Sequence, residues 1–393
     1  MLLYGGTQKI RVGMVAPVIA GGIKTHLSAM CRILSQRNFD VHIITSDKYR
    51  SMLTEISHKR HACLTTVDLP SRELSFYAIM PSLRSLDRRS FFRALDRYDI
   101  LHVHGYTNYA TDYLSLTRKI HEMPVVITFH GSLSQYSSIS NRFWKTLHNK
   151  VMIKFQSFVS KFIAVSYFEK DIAARQGISD DRIEVIYNGV DAGFFEGHRS
   201  DFFEERLGIP RDVITLVYLG RLSRSKNLYS LIKATRYLLS AGRKVRLVMI
   251  GPNWGEESRL KRLSAELGIS NYVLFVGEVT ENEKMTALAS ADIFVYPALR
   301  DVFSLSVVEA SASCVPVVAF ASGSNNEMIV DGYTGVLARE NTPLGLARAI
   351  DKLIETGDRE QMGKNGREYV LKRFSWDKAV ANTEEVYEAA LLK

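Results

Sequence analysis

Short β-branched runs recur along this chain at intervals long enough to hold a helix, and that alternation constrains the fold more than any other feature. The runs fall at Val41–Thr45, Ile100–His104, Val125–His130, Phe162–Ser166 and Ile183–Ile186. They resume after a polar stretch at Val213–Leu219, Val245–Ile250, Tyr272–Val276, Ile293–Tyr296 and Val315–Phe320. Strands alternating with helices predict parallel sheets covered on both faces. Near the start, Lys9 and Arg11 followed by a short apolar stretch imitate a secretory signal. Gly21-Gly22 and then Ile23, Leu27, Met30 and Leu34 continue it as the apolar stripe of a helix, so strand, glycine turn and helix explain the segment without cleavage. The stretch after Asn188-Gly189-Val190-Asp191 is polar and weakly periodic as far as Arg211. The expectation is an α/β chain of two Rossmann-like domains, 1–190 and 212–375, joined by a linker at 191–211. From about Asn341 the chain reads as helical, and its last helix, 376–393, is expected to fold back on the first domain.

The 393 residues suffice for two or three domains with their own cores, and 46% apolar content excludes a disordered chain. Three scattered cysteines, Cys31, Cys63 and Cys314, show neither CxxC nor zinc spacing and suit a reducing, cytoplasmic setting. The longest charge-free run, Met123 to Asn141, is rich in polar residues and does not resemble a membrane span. Net charge is +9 but unevenly spread: residues 1–190 hold 25 Lys and Arg against 15 Asp and Glu, whereas residues 191–393 hold 26 against 27. An excess on one half suggests nucleic acid, an anionic membrane face or a phosphorylated substrate, and composition does not choose among them.

Open parallel sheets bind ligands beyond the carboxyl ends of their strands. After Val213–Leu219 come Gly220-Arg221-Leu222-Ser223-Arg224-Ser225-Lys226-Asn227. A glycine, then Arg and Lys five residues apart at a helix entrance, suits a diphosphate, with a solvated basic loop as the alternative. After Ile293–Tyr296 come Asp301 and Glu309, about two helical turns apart. Such pairs are common on solvated helices, but Val307, Val308, Ala310 and Ala312 make this helix apolar, where a carboxylate needs a partner.

The run YPALRDVFSLSVVEASASCVPVVAF, Tyr296 to Phe320, resembles the signature of the retaining nucleotide-sugar glycosyltransferases of family 4, which have the GT-B fold. Other pieces follow in the family's order: Gly21-Gly22, Thr128-Phe129-His130-Gly131, Val165-Ser166, Val185 to Asp191, Gly220-Arg221-Leu222 with Lys226, Gly323 to Glu327, and Asp331 to Gly335. The chain departs from the pattern where Asp301 replaces the usual Glu, Val302 and Ser304 replace glycines, and Cys314-Val315-Pro316 lacks the usual glycine. The resemblance implies two Rossmann-like domains facing each other across a cleft. It implies that Arg221 and Lys226 bind the donor diphosphate and stabilise it as leaving group, with Gly220 at the turn. Glu309 would accept from the ribose hydroxyls, and Asp301 with the Phe303, Ser304 and Leu305 backbone would hold the transferred sugar. His130 would lie near the sugar C6 hydroxyl, Gly22 would bring its N–H to the phosphates, and Glu278 and Val279 would meet the base through backbone atoms. Fixed cations at the leaving phosphate can replace a metal. No metal or other cofactor is expected, and no metal-ligand cluster is evident in the sequence; the nucleotide-diphosphate sugar is a co-substrate. His102 and His104, on one face of a strand, are read as packing or acceptor-contact residues, with metal ligation as the alternative.

Between Met123 and Phe168 there is no acidic residue, while Arg142, Lys145, Lys150, Lys154 and Lys161 interleave with Phe143, Trp144, Leu147, Val151, Phe155, Phe158 and Phe162. Arg142, Trp144, Lys145, Lys150 and Lys154 are candidates for contact with an acceptor or an anionic membrane; a core-facing helix with a solvated basic side stays open. The membrane reading expects a hexose passed to a saccharide or lipid-linked acceptor in polysaccharide, glycolipid or glycan assembly, on the cytoplasmic face of the membrane. A soluble-acceptor disaccharide synthase and a catalytically silent sugar- or membrane-binding relative are the alternatives. A dinucleotide oxidoreductase lacks its GxGxxG turn, and no nucleic-acid recognition module is evident.

Overall fold

The structure, a computed structural model, describes residues 9–16, 19, 21–45, 71–72, 80–81, 95–106, 123–133, 159–191 and 201–392. The chain divides into two compact units, Met1–Asn188 with Trp376–Lys393, and Gly189–Ser375.

In the first unit β1 (Ile10–Val15), β2 (Phe39–Ile44), β5 (Ile100–His104), β6 (Val125–Thr128), β7 (Lys161–Ala164) and β8 (Ile183–Val185) form one parallel sheet in the order β2-β1-β5-β6-β7-β8. β3 (Ser71–Arg72) and β4 (Met80–Pro81) make a separate antiparallel pair. The central strands are buried along their length, as strands covered on both faces must be. Phe129, Phe162, Val103 and Ile127 lie in the core beneath them. Helix Trp376–Leu391 belongs to this unit and packs on helix Gly22–Leu34 and on β6. Its buried Tyr387 hydroxyl lies 2.6 Å from His102 Nδ1, and Glu384 pairs with Arg37.

In the second unit β9 (Ile214–Leu219), β10 (Val245–Ile250), β11 (Val273–Gly277), β12 (Ile293–Tyr296), β13 (Val317–Phe320) and β14 (Gly335–Ala338) form a second parallel sheet, ordered β11-β10-β9-β12-β13-β14. In order of appearance that is third, second, first, fourth, fifth, sixth, the doubly wound Rossmann arrangement. Strand order reverses between β9 and β12, so the loops after these two strands flank the crevice where such sheets bind ligands.

Three details differ from the sequence reading. Part of the expected linker is structured: Phe202–Leu207 is a helix with Phe203 buried, and Arg206 pairs with Glu283 of helix Glu281–Ser290, so it belongs to the second unit. The run Val125–His130 ends its strand at Thr128, because His130 takes a positive φ of 52° that no extended strand holds. Strand β14 escaped notice because Gly335-Val-Leu-Ala is short and begins with a poor strand former. The glycine is required: a Cβ at Gly335 would sit 2.4 Å from the Val317 carbonyl oxygen of the neighbouring strand.

Candidate functional site

The turn after β9 is built on glycine. Gly220 has φ 152°, and a Cβ on Gly251, at φ 134°, would meet the Gly220 carbonyl oxygen at 2.2 Å. Close approach of two strand ends therefore fixes where Arg221 leaves the sheet. Its guanidinium lies over the Trp254 ring, 4.4 Å from the centroid, and makes no ion pair with a carboxylate among the described residues. A stacked cation with no carboxylate in contact among the described residues, though its charge helps keep Asp301 ionised, is prepared for an incoming anion.

Five residues on, Lys226 has a different setting. Its Nζ donates to Asp301 Oδ2 at 2.6 Å and to the Tyr296 hydroxyl at 2.7 Å, and Tyr296 donates to the same carboxylate oxygen. Asn227, in the left-handed region at φ 55°, donates from Nδ2 to the Pro297 carbonyl at 3.1 Å and ties the β9 loop to the β12 loop. Burial favours protonating Asp301, but Lys226 with the Tyr296 hydroxyl and the nearby Arg221 charge together outweigh it and hold the carboxyl below its ordinary range. Burial, with Asp301 adjacent, pushes the Tyr296 phenol far up, so it stays neutral and donates.

Asp301 is also held through its backbone. Its carbonyl accepts from Ser324 N and Ser324 Oγ, both at 3.1 Å. Gly323, at φ 61°, cannot carry a Cβ without coming within 2.8 Å of that oxygen. Val302, Phe303 and Ser304 are buried, and neither Val302 nor Ser304 takes a positive φ, so the side chains standing where glycines are usual cost no backbone strain. Leu305 opens helix Leu305–Ala312, and Glu309 lies on that helix with its side chain 14% exposed, its Oε1 accepting from Lys284 Nζ at 2.8 Å. Burial raises the Glu309 carboxyl, and Lys284 opposes the rise. Beyond β11, Gly277 at φ 81° turns the chain so that Glu278 is exposed and Val279 half-buried.

The first unit carries a second constellation at its own strand ends. Gly21, at φ 52°, starts helix Gly22–Leu34, whose first turn has no acidic residue and, among the described residues, no side-chain cap, as suits an anion. His130 follows β6 in the strained left-handed region. The fully buried Glu169 holds its turn, accepting from Gly131 N at 2.5 Å and Val165 N at 2.9 Å. His104 Nδ1 lies 3.0 Å from His130 Nε2, a hydrogen bond in which one nitrogen carries the proton. His26 packs edge-on to both rings, with its Nδ1 2.8 Å from Asn188 Oδ1. His102 sits between Tyr387 and Thr128. Burial, then mutual repulsion, holds His102, His104 and His130 far below the ordinary imidazole value; burial takes His26 down to about 4.

The structure thus brings Arg221, Lys226, Asp301 and Glu309 to the carboxyl end of one sheet, and His130 and Gly22 to that of the other. Arg142, Trp144, Lys145, Lys150 and Lys154 lie outside the described residues. Ligand nitrogens of His26, His104 and His130 lie within 4.8 Å of one another, a grouping the sequence does not reveal. No spacing announces them, because they come from a helix, a strand end and a turn. Trp254, Tyr296, Lys284 and Glu169 were also missed as site residues. Glu169 had a signal, the Ser166-x-x-Glu169 start of helix Tyr167–Arg175, where Ser166 Oγ accepts from Glu169 N at 3.0 Å.

Residues 20–194 match the sequence profile of the family described as Glycosyltransferase Family 4, and residues 200–369 match that described as Glycosyl transferases group 1. Among known sequences the chain is similar to an uncharacterised glycosyltransferase of Methanocaldococcus jannaschii, 24% identical with 94% of this chain and 95% of that one covered. A D-inositol 3-phosphate glycosyltransferase of Acidothermus cellulolyticus is 24% identical, with 95% and 86% covered. Among solved structures, HepE of Anabaena in complex with UDP and glucose superposes with a TM-score of 0.80 at 20% identity, covering 97% of this chain and 100% of that one. With both profiles matched in order and the GT-B architecture in place, the chain belongs to glycosyltransferase family 4.

Proposed function

We propose that this protein is an anomer-retaining, metal-independent hexosyltransferase using a nucleotide-diphosphate sugar. The observation that carries the proposal is Arg221, a cation without a carboxylate partner among the described residues, stacked on Trp254 at the switch point of a Rossmann sheet. Breaking the sugar–phosphate bond places negative charge on the leaving diphosphate, and a fixed guanidinium aimed there lowers the barrier. Lys226 supplies a second cation once the diphosphate competes with Asp301 for its ammonium. Asp301 and the backbone of Phe303, Ser304 and Leu305 hold the sugar, and Glu309 accepts from the ribose. His130, neutral and fixed in a strained turn, offers an imidazole nitrogen to a sugar hydroxyl. Gly22 brings its helix N-terminus to the phosphates, and Glu278 and Val279 meet the base through their backbone.

The similarity to HepE, solved with UDP and glucose, supports a UDP-sugar as the first donor to try. The acceptor proposed is a saccharide or a lipid-linked saccharide met at the inner membrane face, consistent with the basic excess of residues 1–190. A small soluble acceptor is the second reading, favoured by similarity to D-inositol 3-phosphate glycosyltransferases and by a TM-score of 0.76 to sucrose-phosphate synthase of Thermosynechococcus elongatus. Nucleoside diphosphate release from UDP-, GDP- and ADP-sugars, with lipid-linked and soluble acceptors in parallel and EDTA present, tests the proposal. Release with one donor supports it, and the responding acceptor separates the readings. No release from any donor, or release only after a divalent metal is restored, overturns it.

A further inference from the structure

Glu309 does not act alone. Helix Glu281–Ser290 places Lys284 against it, with Nζ 2.8 Å from Oε1, and both side chains are largely buried, at 16% and 14% exposure. Glu281, one turn earlier and half exposed, pairs with the same ammonium from the solvent side. The ammonium therefore bridges a buried carboxylate and an exposed one, and its direction toward Glu309 is set from both ends.

We infer that Lys284 is a positioning residue for the donor: it keeps Glu309 ionised and turned so that its carboxylate can accept both hydroxyls of a ribose diol. The inference rests on the reading of Glu309 as the ribose acceptor. A carboxylate in a site this closed is pushed toward its protonated form, which has one fewer acceptor position and a proton of its own to place. A vicinal diol presents two donors and needs an acceptor-only partner. One cation at Oε1 maintains that state and leaves the remaining lone pairs directed elsewhere. Lys284 touches no reacting atom in this account, so its effect falls on nucleotide affinity and leaves the chemical step largely alone.

Calorimetric titration with UDP, GDP and ADP and their 2′,3′-dideoxy counterparts tests this without knowledge of the acceptor. For the nucleotide that binds, the wild type is expected to lose about 10-fold or more in affinity when the diol is removed, within the range of a charged hydrogen bond. Lys284→Met is expected to bind the ribonucleotide about 10-fold more weakly, yet to hold the dideoxynucleotide within about 2-fold of wild type, so that discrimination collapses. Lys284→Arg should restore part of it. In Lys284→Gln, ribonucleotide affinity should fall off at a higher pH than in wild type as Glu309 takes up a proton, an effect that simple loss of packing does not give. If Lys284→Met and Lys284→Gln keep the wild-type ratio between the two nucleotides, the inference is overturned while Glu309 remains the ribose acceptor. If the wild type binds both forms equally, or binds no nucleotide, the reading of Glu309 fails and the inference falls with it.

Discussion

The ammonium of Lys226 and the carboxylate of Asp301 lie 2.6 Å apart, and the Tyr296 hydroxyl bonds to both. The residue expected to meet the diphosphate and the residue expected to hold the sugar thus form one preassembled unit, with side-chain exposures of 14% and 21%. Binding a diphosphate there must redistribute the hydrogen bonds of Lys226 without moving its backbone, which Asn227 pins to Pro297.

Lys226→Ala should lower sugar transfer by about 100-fold or more, on the scale of a lost electrostatic donor. Asp301→Asn should retain most of the nucleoside diphosphate affinity, because it frees Lys226 for phosphate, yet lose turnover through the sugar contact. Affinity for the nucleotide by calorimetry, set beside turnover, separates the two. Equal losses of affinity in both variants would contradict this division of labour.

Trp254 is half exposed, and its ring lies against the Arg221 guanidinium. An exposed cation–π contact contributes ~0.5–1 kcal/mol, so Trp254→Ala should weaken donor use by a few-fold through a less well directed Arg221. Trp254→Phe should recover part of the loss. The comparison is of kcat/KM for the donor, with thermal unfolding as a check that the fold is unchanged.

Acid should destabilise the first unit before the carboxylates matter. His26 falls from an ordinary imidazole value to about 4 on folding. The folded state therefore binds fewer protons than the unfolded chain between the ordinary value, ~6.5, and the lowered one, so stability rises with pH across that window. Its neutral form contributes on the order of 3 kcal/mol above the window, and the contribution is lost as pH falls to about 4. Asp301 is shifted in the same direction, in a more acid window: its lowered carboxyl contributes stability above the unfolded value, ~4, that is lost as pH falls through the folded one. Urea unfolding midpoints at steps from pH 8 to pH 4 should decline first through the histidine window. His26→Phe should flatten that part of the profile, whatever it does to the absolute midpoint.

What was legible in advance followed from local physics. Ile100–His104, Val245–Ile250 and Ile293–Tyr296 are strands of apolar and β-branched residues, and their bounds agree with the runs read from sequence. The placement of Arg221, Lys226 and Asp301 after β9 and β12 was legible because it follows directly from where the two apolar strand runs end. Residues whose meaning depends on long-range packing were not. Nothing near His26 indicates His104 or His130, which are 78 and 104 positions on. Lys284 has no local signal either, since its partner Glu309 lies 25 positions on. Trp254 acquires meaning only from Arg221, across two strand ends pressed together by Gly220 and Gly251.

Cys314 settles one departure from the family pattern. It stands where a glycine is usual, and its φ is 60°, in the left-handed region that a side chain resists. The position cannot relax freely, because helix Arg359–Arg373 passes so close that a Cβ on Gly363 would lie 1.9 Å from the Cys314 carbonyl oxygen. Cys314 is exposed, so replacing it removes strain without opening a cavity. Cys314→Gly should therefore stabilise the second unit by about 0.5–1 kcal/mol, net of the added freedom of glycine in the unfolded chain. Cys314→Ala keeps a Cβ at the same φ and should change stability little. Gly363→Ala should destabilise by several-fold more than Cys314→Gly stabilises, since backbone meets the new methyl group. Denaturant unfolding of the three variants checks the ordering; a destabilised Cys314→Gly would mean the thiol makes a contact worth more than the strain it carries.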